Sequence, residues 1–117
     1  MSTLRCVALA IEGAFRLEPQ PVEDERGGFA RLWCRDTLRA AGLDEARLAV
    51  MQTSASFNRR AGTLRGLHFA WPPAQEAKVV RCARGRMLDV LLDLRPGSPT
   101  WLRHVAVELD AGTRQSL

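Results

Sequence analysis

Two side chains in this sequence stand out for the chemistry they could perform together. His68 is one of only two histidines, and Lys78 is the single lysine in a chain with sixteen arginines. An imidazole can accept a proton near neutral pH. An ammonium is a compact point charge whose pKa moves on burial, whereas guanidinium stays charged and forked. A base and a fixed cation within one hairpin-sized segment suit an anionic, carbonyl-bearing ligand. The plainer readings are a satisfied core or surface histidine and a solvated lysine at a strand edge, and the residues alone leave both open.

The segment that must position them reads G-T-L-R-G-L-H-F-A-W-P-P-A-Q-E-A-K, from Gly62 to Lys78. Strict β alternation over 63–69 sends Arg65 and His68 to opposite faces. They share a face only if Gly66 marks a bulge or kink. Further on, Asp89 sits in Leu88-Asp89-Val90-Leu91-Leu92, where an unpaired buried carboxylate is costly. It is either a strand-end acceptor or a partner for Lys78 or His68 on the adjacent strand.

The elements follow from punctuation and period. Leu4–Ile11 and Ala14–Leu17 are short apolar pieces split by Glu12-Gly13, and Pro19 and Pro21 then interrupt the path. Residues 23–28 read as a polar turn and Phe29–Trp33 as a strand. Asp36 is the expected N-cap of one short helix, Thr37–Ala41, stopped by Gly42. From Leu48 the pattern predicts β throughout: Leu48–Phe57, 63–69, Ala77–Ala83, Met87–Leu94 and Trp101–Leu109. Gln52, Ser54 and Ser56 recur at period two, and Arg84-Gly85-Arg86 reads as a tight hairpin joining the third and fourth of these strands. Short strands with Gly and Pro between them predict an all-β barrel or jelly roll.

At 117 residues the chain is expected to be one domain, 1–117, of ordinary composition, 46% hydrophobic and 26% charged. The apolar run Cys6–Ile11 is too short for a membrane span and unlike a secretory signal. Three cysteines without metal spacing point to reduced thiols and a cytoplasmic protein. The net charge of +4 is spread over scattered arginines with no aromatic–basic interleaving, so nucleic-acid binding ranks last among the partners considered. Attraction of a phosphorylated small molecule remains.

These pieces together resemble the dTDP-4-dehydrorhamnose 3,5-epimerase family, a group of cupin-type jelly rolls. The resemblance is carried by Asp24-Glu25-Arg26-Gly27 with Phe29, by Gln52 with Ser54 and Ser56, and by Gly62–Phe69. Lys78-Val79-Val80-Arg81-Cys82 with Gly85, Asp89-Val90, Asp93-Leu94-Arg95 and Gly97-Ser98-Pro99-Thr100 follow in the same order. It covers residues from about 14 to 117. It implies epimerisation at C3 and C5 of a dTDP-4-keto-6-deoxy hexose, as in dTDP-L-rhamnose-type deoxysugar biosynthesis.

By the same resemblance His68 matches the base and Lys78 the cation near the C4 oxygen. Arg26 and Arg65 match substrate-binding positions suited to a diphosphate, and Gln52 and Ser54 line the sugar or nucleotide site. Phe29 and Arg31 join the substrate-binding set. Arg31 replaces a glutamate that many members use on the nucleotide, a departure that bears on base or sugar preference. Asp89 is the candidate supporting carboxylate on its residue pattern, not on the resemblance. No redox cofactor and no metal are implied, and a homodimer is expected.

In the family a P-E-G-F-A-H-G-F segment, a tyrosine acid and a base-orienting aspartate come after the position of Leu117. On this reading the sequence is the first two-thirds of the family domain, a jelly roll incomplete at its C-terminus, with weak or absent turnover because it contains no tyrosine. The alternative is an inactive cupin that binds a nucleotide sugar or only dimerises.

Overall fold

A computed structural model describes residues 1–117. It is all-β apart from one short helix and two 3-10 turns, and its strands form three separate antiparallel hairpins. β1 (Thr3–Ala8) pairs with β2 (Phe15–Gln20), β3 (Val22–Asp24) with β4 (Gly27–Phe29), and β5 (Arg86–Leu92) with β6 (His104–Asp110).

The first hairpin forms because Thr3–Ala8 alternates, which puts Leu4 and Cys6 on one face. Their register partners are Pro19 and Leu17, so Pro19 lies inside β2 instead of interrupting the path. The helix α1 spans Arg35–Ala40, beginning two residues and ending one residue earlier than the sequence suggests. Its N-cap is Cys34, which makes no side-chain capping bond, and Asp36 sits in the first turn, where a carboxylate still favours the helix N-terminus. Gly42, at φ +94°, follows the C-cap and ends the helix as expected. Leu38 is the one buried residue of α1, and it closes a small core with Leu4, Leu17 and Leu48.

A second core joins Cys82, Val107 and the fully buried Leu109, with Val80, Val105, Leu9 and Leu117 against it. Here the structure differs from the expected 84–86 hairpin. Val80 exchanges backbone bonds of 2.9 Å with Leu117, and Arg81 and Leu17 both bridge to Ser116. The chain end therefore lies between β2 and residues 80–81, while β5 pairs with β6.

The larger difference lies between the two cores. Every residue from Ala49 to Val79 is exposed, and the expected strands 48–57 and 63–69 are irregular segments outside any sheet. A strand exists through its neighbour's N–H and C=O groups, and none of the 117 residues supplies that neighbour here. The totals agree. There are 39 backbone–backbone hydrogen bonds over 117 residues, well under the roughly 0.7 per residue of a closed domain. The radius of gyration is 15.3 Å, against about 13 Å for a compact chain of this length.

Candidate functional site

The candidate base sits just after a kink. Thr63 Oγ1 donates to the Arg60 carbonyl at 2.7 Å and closes the preceding turn. Gly66 has φ +102°, a conformation that L side chains rarely adopt. A Cβ there would lie 3.1 Å from His68 Nδ1, so the imidazole folds back over the glycine. The kink on which a shared face depends is present. Arg65, however, turns to the preceding segment: Nε donates to Asn58 Oδ1 at 2.7 Å and Nη2 to the Phe57 carbonyl at 2.9 Å. Phe69 and Trp71 meet edge-to-face at 5.4 Å and are exposed.

Lys78 reaches Glu76, with Nζ 3.4 Å from Oε1 and both side chains about half exposed. Asp89 is half-exposed on β5, opposite Val107, and joins neither Lys78 nor His68 in an ion pair or hydrogen bond. The expectation of a buried carboxylate serving either group is thus corrected. A half-exposed carboxylate keeps its hydration and needs no partner. Gln52 and Ser54 are exposed, like the whole of 49–79.

Arg26 and Phe29 lie on the β3–β4 arm. Arg26 closes the arm's turn on Asp24: its backbone N–H donates to Oδ1 at 2.9 Å and Nη2 to Oδ2 at 2.5 Å. These bonds from Arg26 hold the Asp24 carboxyl below its usual value and raise the Arg26 guanidinium. Arg31 follows the arm, half-buried, with its backbone N–H on Ser2 Oγ.

Two of the surface grooves bear on where a site could lie. One, of about 400 Å³, lies among Ile11, Phe15, Leu43, Asp44, Arg47 and Arg95. The other, of about 450 Å³, lies beside Trp33, Arg35, Glu45 and Leu48. Neither is lined by His68, Lys78, Asp89 or any expected substrate-binding residue. No group of three His, Cys, Asp or Glu side chains is placed to hold a metal ion.

The best-formed polar cluster is one the site reading did not single out. The Asp93 carboxylate is fully buried. It accepts from Arg95 Nε and Nη2, both at 2.9 Å, from Ser98 Oγ at 2.5 Å and from Thr100 Oγ1 at 2.7 Å. Arg95 also donates to the Glu12 carbonyl, and the Glu12 N–H donates to Thr100 Oγ1 at 3.0 Å. The β5–β6 turn is thereby clamped to the β1–β2 turn. The Arg95 guanidinium, aided by the two hydroxyls, holds the Asp93 carboxyl far below the usual carboxylate range. The spacing D-x-R-x-x-S-x-T around a Pro-Gly turn was the available signal, since Asp, Ser and Thr close such turns through their side chains.

Comparison with known proteins places the chain. The family model described as dTDP-4-dehydrorhamnose 3,5-epimerase matches residues 8–117. A dTDP-4-dehydrorhamnose 3,5-epimerase of Streptomyces griseus is 44% identical over 103 residues, which is 87% of this chain and 50% of that protein. A crystal structure of the Bacillus anthracis enzyme with TDP and PPi bound superposes with a TM-score of 0.88 at 29% identity, covering 97% of this chain and 63% of that one. A Mycobacterium tuberculosis epimerase gives 0.85 at 39% identity, covering 96% and 55%. The chain spans about half the length of the curated relatives it matches. Its hairpins are those of their cupin-like jelly roll. With the match running over nearly all of its length and its backbone following solved members, the chain belongs to the dTDP-4-dehydrorhamnose 3,5-epimerase family.

Proposed function

We propose that this chain carries the base and the enolate-stabilising cation for epimerising a dTDP-4-keto-6-deoxy hexose at the carbons flanking its ketone. His68 removes the α-proton, and the Lys78 ammonium holds the negative oxygen that develops at C4. Arg26 and Arg65 engage the diphosphate, while Phe29, Arg31, Gln52 and Ser54 contact the nucleotide and sugar. The observation that carries this reading is the ordered run Gly62–Phe69 followed by Lys78 in a chain of this family. The relatives' names supply the substrate class.

The same reading carries a homodimer in the cytoplasm. No helix is long and apolar enough to cross a membrane. The exposed Phe57, Leu64, Leu67 and Trp71 offer apolar surface for a second protomer.

Nucleotide-sugar binding without turnover is the second reading, favoured by the exposure of His68 and Lys78 outside both grooves. Incorporation of deuterium from heavy water into the 4-keto sugar separates the two. The catalytic reading expects label at C3 or C5, lost about a thousandfold in His68→Ala. Absence of label in the parent chain, or equal label in the variant, removes it. Calorimetry with dTDP then decides whether binding remains.

A further inference from the structure

Ser2 lies outside every motif noted above, yet it is one of the most buried residues in the chain, at 2% exposure. Its hydroxyl is used in both directions. Oγ donates to the Gln20 carbonyl at 2.8 Å and accepts the Arg31 backbone N–H at 2.9 Å. Gln20 ends β2, and Arg31 follows β4, so one hydroxyl joins the two roots of the β3–β4 arm.

The arm itself is exposed along both strands, and no other strand or helix packs on it to any extent. Internally it is braced by the Val22–Phe29, Glu23–Gly28 and Asp24–Gly27 pairs and by the Asp24–Arg26 ion pair at its tip. The Arg31–Ser2 bond is the only hydrogen bond that ties residues 21–31 to the rest of the chain. A braced arm fixed at its root behaves as a lever, in which a small rotation at the root becomes a larger displacement at the tip.

We propose that Ser2 is a positioning residue: its hydroxyl sets the angle at which the arm presents Arg26 and Phe29 to the nucleotide sugar. This deepens the reading above and rests on it for the ligand. Serine fits because a small hydroxyl can donate and accept at once in a buried site. Alanine leaves the Gln20 carbonyl and the Arg31 N–H without that partner.

The test uses the 117-residue chain and its Ser2→Ala and Ser2→Thr variants, with dTDP as the probe. In Ser2→Ala, hydrogen exchange at the Arg31 amide rises and 15N order parameters fall over Val22–Phe29, while β5 and β6 keep theirs. The dTDP dissociation constant weakens about tenfold, the scale of one lost hydrogen bond at a buried hydroxyl. Ser2→Thr keeps the hydroxyl and restores both readouts, which a purely steric role for Ser2 would not produce. Should Ser2→Ala fail to fold, Ser2→Cys, with its weaker hydrogen bonds, takes its place. An arm as ordered in Ser2→Ala as in the parent, or a Ser2→Thr variant that behaves like alanine, overturns the proposal. If the parent chain binds no dTDP at millimolar concentration, the functional reading fails, while the order parameters still decide the role of Ser2.

Discussion

The turn at Asp93 and the run from Ala49 to Val79 are both polar-rich and both belong to the family's motifs, yet they settle very differently. At Asp93 a buried carboxylate finds every donor it needs within seven residues, and the same cluster reaches the Glu12 turn through two further bonds. Across 49–79 the only side-chain bonds and ion pairs are short-range ones, such as Arg65 to Asn58 and Lys78 to Glu76, and no side chain is buried. Local chemistry closes on itself, whereas a sheet needs partner strands. The candidate base and cation lie in the region that needs them.

The sharpest way to break this comparison is to disarm the clamp. Asp93→Asn removes the charge that Arg95, Ser98 and Thr100 converge on, and is expected to lower stability by about 2 kcal/mol. Urea unfolding reads this directly, and an unmoved midpoint would mean that the clamp is idle. The pH dependence has a definite sign. Folding depresses the Asp93 carboxyl, so its stabilisation is fully present above the unfolded value of about 3.9 and declines as pH falls below it. The parent chain should therefore lose stability on acidification below about pH 4, and Asp93→Asn should flatten that decline.

Next in size is a change in the open region. Lys78→Met is expected to slow solvent exchange into the 4-keto sugar about a hundredfold while leaving the urea midpoint in place, because its ion pair with Glu76 is exposed. A fall in stability as large as that of Asp93→Asn would show that the two regions are not distinct. The smallest effect belongs to Leu64→Ser. At 91% exposure Leu64 packs on nothing within its own chain, so at low protein concentration stability should change by no more than about 0.5 kcal/mol. A larger loss that appears only at high protein concentration is the outcome the homodimer reading expects, and its absence would take Leu64 out of the contact between protomers.

Much of the fold was legible in the residues. The apolar piece Leu4–Ile11, the Gly42 stop and the apolar run Met87–Leu94 each correspond to an observed element. The misreadings have specific causes. Pro19 reads as a breaker but is accommodated in β2 opposite Leu4. Ala77–Ala83 reads as one arm of a hairpin with β5, but residues 80–81 take Ser116 and Leu117 as partners. Leu48–Phe57 and 63–69 have the β period without a neighbouring strand among these residues.

The sequence by itself determined which side chains are available: a lone lysine, a histidine two residues after a glycine, Arg65 just before that glycine, and the order that marks the family. It also set the kink at Gly66, because glycine tolerates positive φ at little cost. Tertiary structure alone decided that Asp89 stands apart from Lys78, that Arg65 binds the preceding segment, and that Ser2 roots the arm. The reason is physical. Composition and spacing fix local conformation and chemical capability, while proximity between distant residues depends on which backbone groups find hydrogen-bonding partners across the chain.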